Sequence, residues 1–370
     1  MDATELTVQL ASGPDNPYSQ AVVAYADAIT EWSDGKITFD ILYSGSRVPL
    51  QEMNDALAEG LVDMGQHMPS IAPDTFPVVD YAAQLTFLNE GSPVVGALQL
   101  VGVWSEFGAT DEALHTELRD RGVQPLLPMM VSGSAGLICN GERNSLDELH
   151  GTQIRTSATA VAAGIEALGG VPVSVPAPEQ YEAMQRGVVD CVASALGNAS
   201  VYGLHEVADT WVLDERVMFP GAPVAWSISA ATWDGLPLVA RQLLWDRLDV
   251  FVEEYAHGNI VGSAADALSQ SEEAGLTVMP WADDAAETLL EHHQAVLAEL
   301  PDRAPSGVDG QQTVDTVIDL HDKWLSTVEE LGHGKDVTWP TYTSWAQDDH
   351  DFADFADIIR EEVLVPHRPE

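Results

Sequence analysis

Glu52-Met53-Asn54-Asp55-Ala56-Leu57-Ala58-Glu59-Gly60-Leu61-Val62-Asp63-Met64 returns, without a gap, as Glu179-Gln180-Tyr181-Glu182-Ala183-Met184-Gln185-Arg186-Gly187-Val188-Val189-Asp190-Cys191. In each copy a helical stretch ends at a glycine, which takes the left-handed cap conformation at little cost. A short apolar segment follows and reads as a strand. Two such helix–strand units, a domain's length apart, predict an α/β protein with two similar lobes facing each other. The cleft between such lobes is the natural place for a ligand.

The 370 residues suffice for two lobes with cores of their own. The charge is unusual: 59 Asp+Glu against 15 Lys+Arg, a formal net charge of −44, with lysine only at Lys36, Lys323 and Lys335. At low salt this much like charge strains a compact fold. At molar salt the screening length falls to roughly 3 Å and the repulsion largely vanishes. We read the composition as adaptation to high salt, because the acids are dispersed rather than gathered as a cation-binding surface requires. The sign of the charge argues against a nucleic-acid partner. No segment reaches the length of apolar sequence that spans a bilayer, about 18 residues.

Two cysteines, Cys139 and Cys191, exclude a disulfide-framed mini-fold and a Cys-rich zinc site. Each ends a predicted strand in the same lobe, and both buried thiols and a single disulfide remain open.

Catalytic signatures are missing. There is no Walker A loop and no Gly-x-Gly-x-x-Gly after a strand, and His205-Glu206 lacks the second histidine of a His-Glu-x-x-His motif. Gly133-Ser134-Ala135-Gly136 has the wrong spacing for a nucleophile elbow and reads as a tight turn. His292 and His293 diverge by about 100° on a helix, cannot chelate one ion together, and read as a solvated face. Asp348-Asp349-His350-Asp351 reads as a solvated acidic stretch. Neither a metal nor a cofactor is expected, and the chain reads as a binding protein rather than an enzyme.

Along the chain, Leu6–Leu10 and Ile37–Tyr43 alternate as strands around a helix that Asn16 caps and Pro17 opens. A long helical stretch covers about Val94 to Arg121. The second lobe begins near Val123, with strands over Pro125–Met130, Gly136–Cys139, Gln153–Arg155 and Val171–Val175 and a capped turn at Ser145. Val224–Ser229 reads as a further strand. Pro237 opens a very long helix, about Leu238 to Gly275, with a kink at His257-Gly258-Asn259, and helices over 285–300 and 314–331 follow. The expected division is lobe I over 1–122 and 212–250, lobe II over 123–211 and 251–300, and a C-terminal helical tail over 301–370.

Arg155 stands out as one of 12 arginines among many acids. It ends a predicted strand of the second lobe, where strand C-termini face the cleft. Its guanidinium offers a planar fork for a carboxylate. The other reading is an ion pair with a nearby acid such as Glu148.

Several segments in order resemble one family: Pro17-Tyr18; Ser33-Asp34-Gly35-Lys36-Ile37; Gly60-Leu61-Val62-Asp63-Met64 with Phe76-Pro77; Leu146-x-x-Leu149-x-Gly151-x-x-Ile154-Arg155; Gly169-Gly170 and Pro172; the second repeat; Glu206-Val207-Ala208; and Ser229-x-x-x-Trp233-x-x-Leu236-Pro237. Over roughly residues 5–300 the chain resembles the DctP-type substrate-binding proteins of TRAP transporters. The resemblance implies a periplasmic-binding-protein fold with hinge strands and a long helix spanning both lobes. It also implies an extracytoplasmic location with the signal sequence removed, hinge closure around a small organic acid, and membrane permease subunits as partners. In that family the arginine matching Arg155 pairs with the ligand carboxylate. Ser12, Gly13, Asn16, Gln66, His67, Met68, Ser157, Ala177, Ser194, Asn198 and Trp226 stand at other matching positions and are expected to line the cleft. The chain departs from the pattern at Cys191, where many relatives have glycine, and near Ala135, where some carry a second arginine. A single cleft arginine points to a monocarboxylate, with Trp226 and Met68 suited to an apolar or ring-bearing body.

Overall fold

A computed structural model describes residues 2–131, 133, 135–156 and 158–370. The readings made for Ser134 and Ser157 therefore lie outside the described residues.

The strands are β1 (Thr4–Gln9), β2 (Ile37–Leu42), β3 (Met64–His67), β4 (Val123–Met130), β5 (Ala135–Cys139), β6 (Gln153–Thr156), β7 (Val171–Ser174), β8 (Cys191–Ala195), β9 (Thr210–Val212), β10 (Val224–Ser229) and β11 (Thr277–Met279). They form two sheets, ordered β2-β1-β3-β10-β4 and β11-β9-β5-β8-β6-β7. This is the expected α/β two-lobe architecture.

The two copies of the opening repeat do the same work. Helices Met53–Ala58 and Gln180–Gln185 are of equal length and each follows a 3₁₀ turn, Leu50–Glu52 or Ala177–Glu179. They end at Gly60 (φ 72°) and Gly187 (φ 68°), left-handed positions that suit glycine. Asp63 then accepts from the Thr7 amide on β1 (2.8 Å), while its own amide donates to the Thr7 carbonyl (2.9 Å). Asp190 repeats this with Gln153 on β6, at 3.0 and 2.8 Å. Each aspartate thus locks its strand in parallel register with a neighbour, β3 with β1 and β8 with β6.

One strand falls differently from the expectation. β4, read from the sequence as opening the second lobe, pairs antiparallel with β10 in the first sheet. The chain therefore crosses after Met130 and not at Gly122. It returns between Val212 at the end of β9 and Val224 at the start of β10. The third crossing is helical. The predicted single helix is Leu238–Asp246, Leu248–His257, a π-helical turn Gly258–Ala264, and Ala265–Ala274. The π turn lies where the kink was expected. A Cβ on Gly258 would come within 2.9 Å of Pro17 Cβ, and one on Gly197 within 2.4 Å of Ser263 Oγ. The turn is thus wedged between the helix that follows β1 and the helix that follows β8.

The predicted 94–121 helix divides at Asp111, whose side chain caps a new helix by accepting from the Leu114 amide (2.7 Å). The tail folds onto the first lobe. Its helix Gly310–Leu331 crosses Val95–Thr110 at Gly102, where any Cβ would meet the Trp324 ring at 2.3 Å. Trp324 Nε1 and Lys323 Nζ both donate to Glu106, each at 2.7 Å, and Trp245 Nε1 donates to the Leu364 carbonyl (2.7 Å). Among the described residues no helix is long and apolar enough to cross a membrane.

Cys139 and Cys191 face each other across β5 and β8 and are disulfide-bonded, with Cα atoms 4.1 Å apart. Closing a loop between residues 52 apart stabilises the fold by about 4 kcal/mol in the chain-entropy account.

Candidate functional site

The helices that follow β3 in one lobe and β6 in the other meet between the two sheets. Between them, Thr159 donates to Asp80 (3.2 Å), joining the helix after β6 to the helix Pro77–Ala83 that follows β3. Burial raises the Asp80 pKa, partly opposed by this hydrogen bond. A void of about 20 Å³ beside this contact is lined from both lobes and by the returning segment Pro220–Pro223.

Arg155 is the one arginine or lysine among the described residues that is buried, at 5% exposure. It alternates with Ile154 on β6. Ile154 enters the core under Thr159–Ala167, so Arg155 points to the opposite sheet face with Val192 and Val173. Its Nε donates to the Val175 carbonyl (2.9 Å). Among the described residues it forms no ion pair with an acid. The alternative partner, Glu148, is engaged elsewhere: it accepts from the amides of Asn144 and Ser145 and from the Ser145 hydroxyl in a capping box. Burial lowers the Arg155 pKa, and the nearby Tyr202 opposes this; the Tyr202 pKa is raised by its own burial and lowered by Arg155. A guanidinium held this way, with one backbone acceptor and no acidic partner among the described residues, has the chemistry to receive an anion.

Other expected residues divide into two groups. Ser194 lies two residues beyond Val192 on β8, on the Arg155 face, buried and with its hydroxyl unpartnered. Asn198 is exposed on the next helix, one turn before Tyr202. Ala177 sits half-buried in the 3₁₀ turn after β7. Across the cleft, Ser12 and Gly13 form the bend after β1, and Asn16 caps the following helix by accepting from the Tyr18 amide (3.0 Å). Gln66 ties that bend to β3 by accepting from the Ala11 amide (3.3 Å), and Met68 is half-buried at the end of β3.

Two of the expected lining residues are instead core. Trp226 is 0% exposed, stacked on Phe251 at 5.7 Å and edge-on to Tyr25 at 6.0 Å. It sits on an inner strand whose face is covered by helices Pro17–Trp32 and Leu248–His257, so its indole is worth more as packing. His67 is fully buried, bonded to Asn54 and to Ser227 Oγ (2.8 Å), and burial lowers its pKa to about 3. It is a neutral stitch between β3, β10 and the repeat helix. Tyr202, close enough to Arg155 for each to shift the other's pKa, is a neighbour the sequence reading did not single out. Its only signal is the four-residue spacing from Asn198.

The sequence profile described as "Bacterial extracellular solute-binding protein, family 7" (DctP) matches residues 9–302. The chain belongs to this family. Solved TRAP solute-binding proteins share the fold of this family member. One from Rhodoferax ferrireducens T118, in complex with copurified benzoate, is 18% identical with a TM-score of 0.75, covering 88% of this chain and 99% of that one. One from a marine metagenome, specific for pyroglutamate, is 18% identical with a TM-score of 0.72, covering 87% and 100%. One from Desulfovibrio salexigens, with bound orotic acid, is 21% identical with a TM-score of 0.70, covering 88% and 99%. The uncharacterized protein y4mM of Sinorhizobium fredii (strain NBRC 101917 / NGR234) is 25% identical over 248 residues, 66% of this chain, and the match spans 41% of that relative's length.

Proposed function

We propose that this chain is an extracytoplasmic receptor, not an enzyme, which captures a small organic acid by lobe closure and delivers it to TRAP-type membrane permease subunits. The observation that carries the reading is Arg155: a buried guanidinium at a strand end, without an acidic partner among the described residues. A ligand carboxylate accepts two hydrogen bonds from such a fork. Ser194 and Tyr202 stand beside it to orient the rest of the molecule. A single buried cation favours one carboxylate with an otherwise neutral body. The organic acids held by the related receptors support the class. Closure is driven only by contacts that exist in the closed form and are absent from the open one. The net charge of −44 supports work in concentrated salt.

The test is a thermal-shift screen in about molar salt against mono- and dicarboxylates, aromatic acids and sugar acids. At 100 times its dissociation constant, the right acid stabilises the protein by about 2.7 kcal/mol. A flat screen on folded protein overturns the reading.

A further inference from the structure

Two contacts between the lobes differ in kind. Phe87, in the loop after helix Pro77–Ala83, stacks on His293 of helix Asp283–Glu299 with ring centroids 4.0 Å apart. That second helix sinks Ala285, Ala286 and Leu289 into the core of the second lobe. His293, read from the sequence as part of a solvated face, is only 7% exposed, so this contact is packed interior. The Asp80–Thr159 hydrogen bond is the opposite. Thr159 is exposed, Asp80 is half-buried, and a small void lies beside them. This bond can break without unpacking a core.

Each partner is fixed to its own lobe. Helix Pro77–Ala83, which carries Asp80, is held by Glu117 of helix Glu112–Asp120, whose buried carboxylate accepts from the Val78 and Val79 amides (3.0 and 3.1 Å). Gln84 Nε2 donates to Asp80 Oδ2 (3.5 Å) and leaves Oδ1 for Thr159. Thr159 opens helix Thr159–Ala167, whose Val161 and Ile165 pack in the core of the second lobe. The helix thus begins in the segment that carries Arg155 on β6. Its N-cap is Ala158, which has no side-chain acceptor, and its first turn holds no acid. A carboxylate is stabilised near a helix N-terminus, and Asp80 is the one the first lobe brings there. Glu117 does the same for the Asp80 helix within a single lobe.

Opening the cleft must part Asp80 from Thr159, and a contact present only in the closed form shifts the equilibrium toward it. We propose that Asp80 and Thr159 are the latch of the cleft: the carboxylate caps the helix beyond Arg155 from the opposite lobe and holds the lobes together. The latch presupposes lobe closure, as proposed above, but not which acid is bound. General electrostatics predicts the reverse sign, because losing an acid from a chain of net charge −44 relieves repulsion and favours the compact form.

Nitroxide labels on Glu59→Cys and Arg186→Cys, exposed and equivalent positions of the two repeats, report lobe separation in the full, ligand-free chain by double electron–electron resonance in about molar KCl. Cys139 and Cys191, buried and bonded to each other, do not take the label. Thr159→Val and Asp80→Ala are each expected to lower the ratio of short to long separations at least fivefold. The double variant is expected to go no further than the stronger single one, as for two halves of one contact. Unchanged separations in the folded variants overturn the proposal. So do additive effects in the double variant, or a shift of Asp80→Ala toward the short separation. A flat acid screen would sink the receptor reading and leave this measurement standing. Intact acid binding beside unchanged separations would sink the latch alone.

Discussion

Arg155→Ala lowers affinity for the captured acid by at least two orders of magnitude while leaving the ligand-free protein as stable as wild type, or more so. Removing one partner of a buried, hydrogen-bonded charge pair costs about 3–5 kcal/mol, and each 1.4 kcal/mol is about tenfold in affinity. The free protein loses nothing comparable, because Arg155 holds only the Val175 carbonyl and no acid among the described residues. Arg216 provides the contrast. It pairs with Asp214, whose side chain is 2% exposed, so Arg216→Ala strands a buried carboxylate and destabilises the fold. Arg155→Lys keeps the charge but loses the two-pronged geometry and falls between. Calorimetric titration with the acid found by screening, beside melting curves of the free variants, checks this. Substantial destabilisation of ligand-free Arg155→Ala would instead mean that Arg155 is a structural ion-pair residue.

Dilution of salt is the second large effect. Two like charges about 10 Å apart in water repel by roughly 0.15 kcal/mol at 0.1 M salt, and by about a tenth of that at 1 M. With a net charge of −44, dozens of such pairs sum to several kcal/mol, comparable to the whole stability of a domain. Compensating ion pairs such as Arg186–Glu182 and Arg360–Asp357 lie at the surface, where each contributes about 1 kcal/mol or less. The melting temperature is expected to climb steeply from 0.1 M to 2 M KCl. A salt-independent melting temperature would contradict the halophilic reading.

The fold was legible because its defining signals are local. The repeat specifies helix length, a left-handed glycine and an aspartate that clamps the next strand over, all within a dozen residues. Arg155 draws notice from its place at a strand end in a chain poor in arginine, but its burial without an acidic partner among the described residues is visible only in the fold. What escaped depends on long-range pairing. β4 reads as an apolar strand, and nothing local says that its partner is β10, about 100 residues on. Trp226 and His67 stand near strand ends that approach the cleft, but their side chains face covered sheet surfaces. The disulfide required Cys139 and Cys191 to fall opposite each other, which the register of β5 and β8 decides. The tail's position rests on Gly102 admitting Trp324, a fit between segments more than 200 residues apart.

The most direct measurement is a crystal structure grown in concentrated salt with the acid identified by screening. The account predicts the carboxylate on the Arg155 guanidinium, with Ser194 and Tyr202 beside it and the first lobe closed over the ligand from the bend at Ser12 and Gly13. An acid bound away from Arg155, or Arg155 turned to a protein carboxylate with the ligand in place, would contradict it.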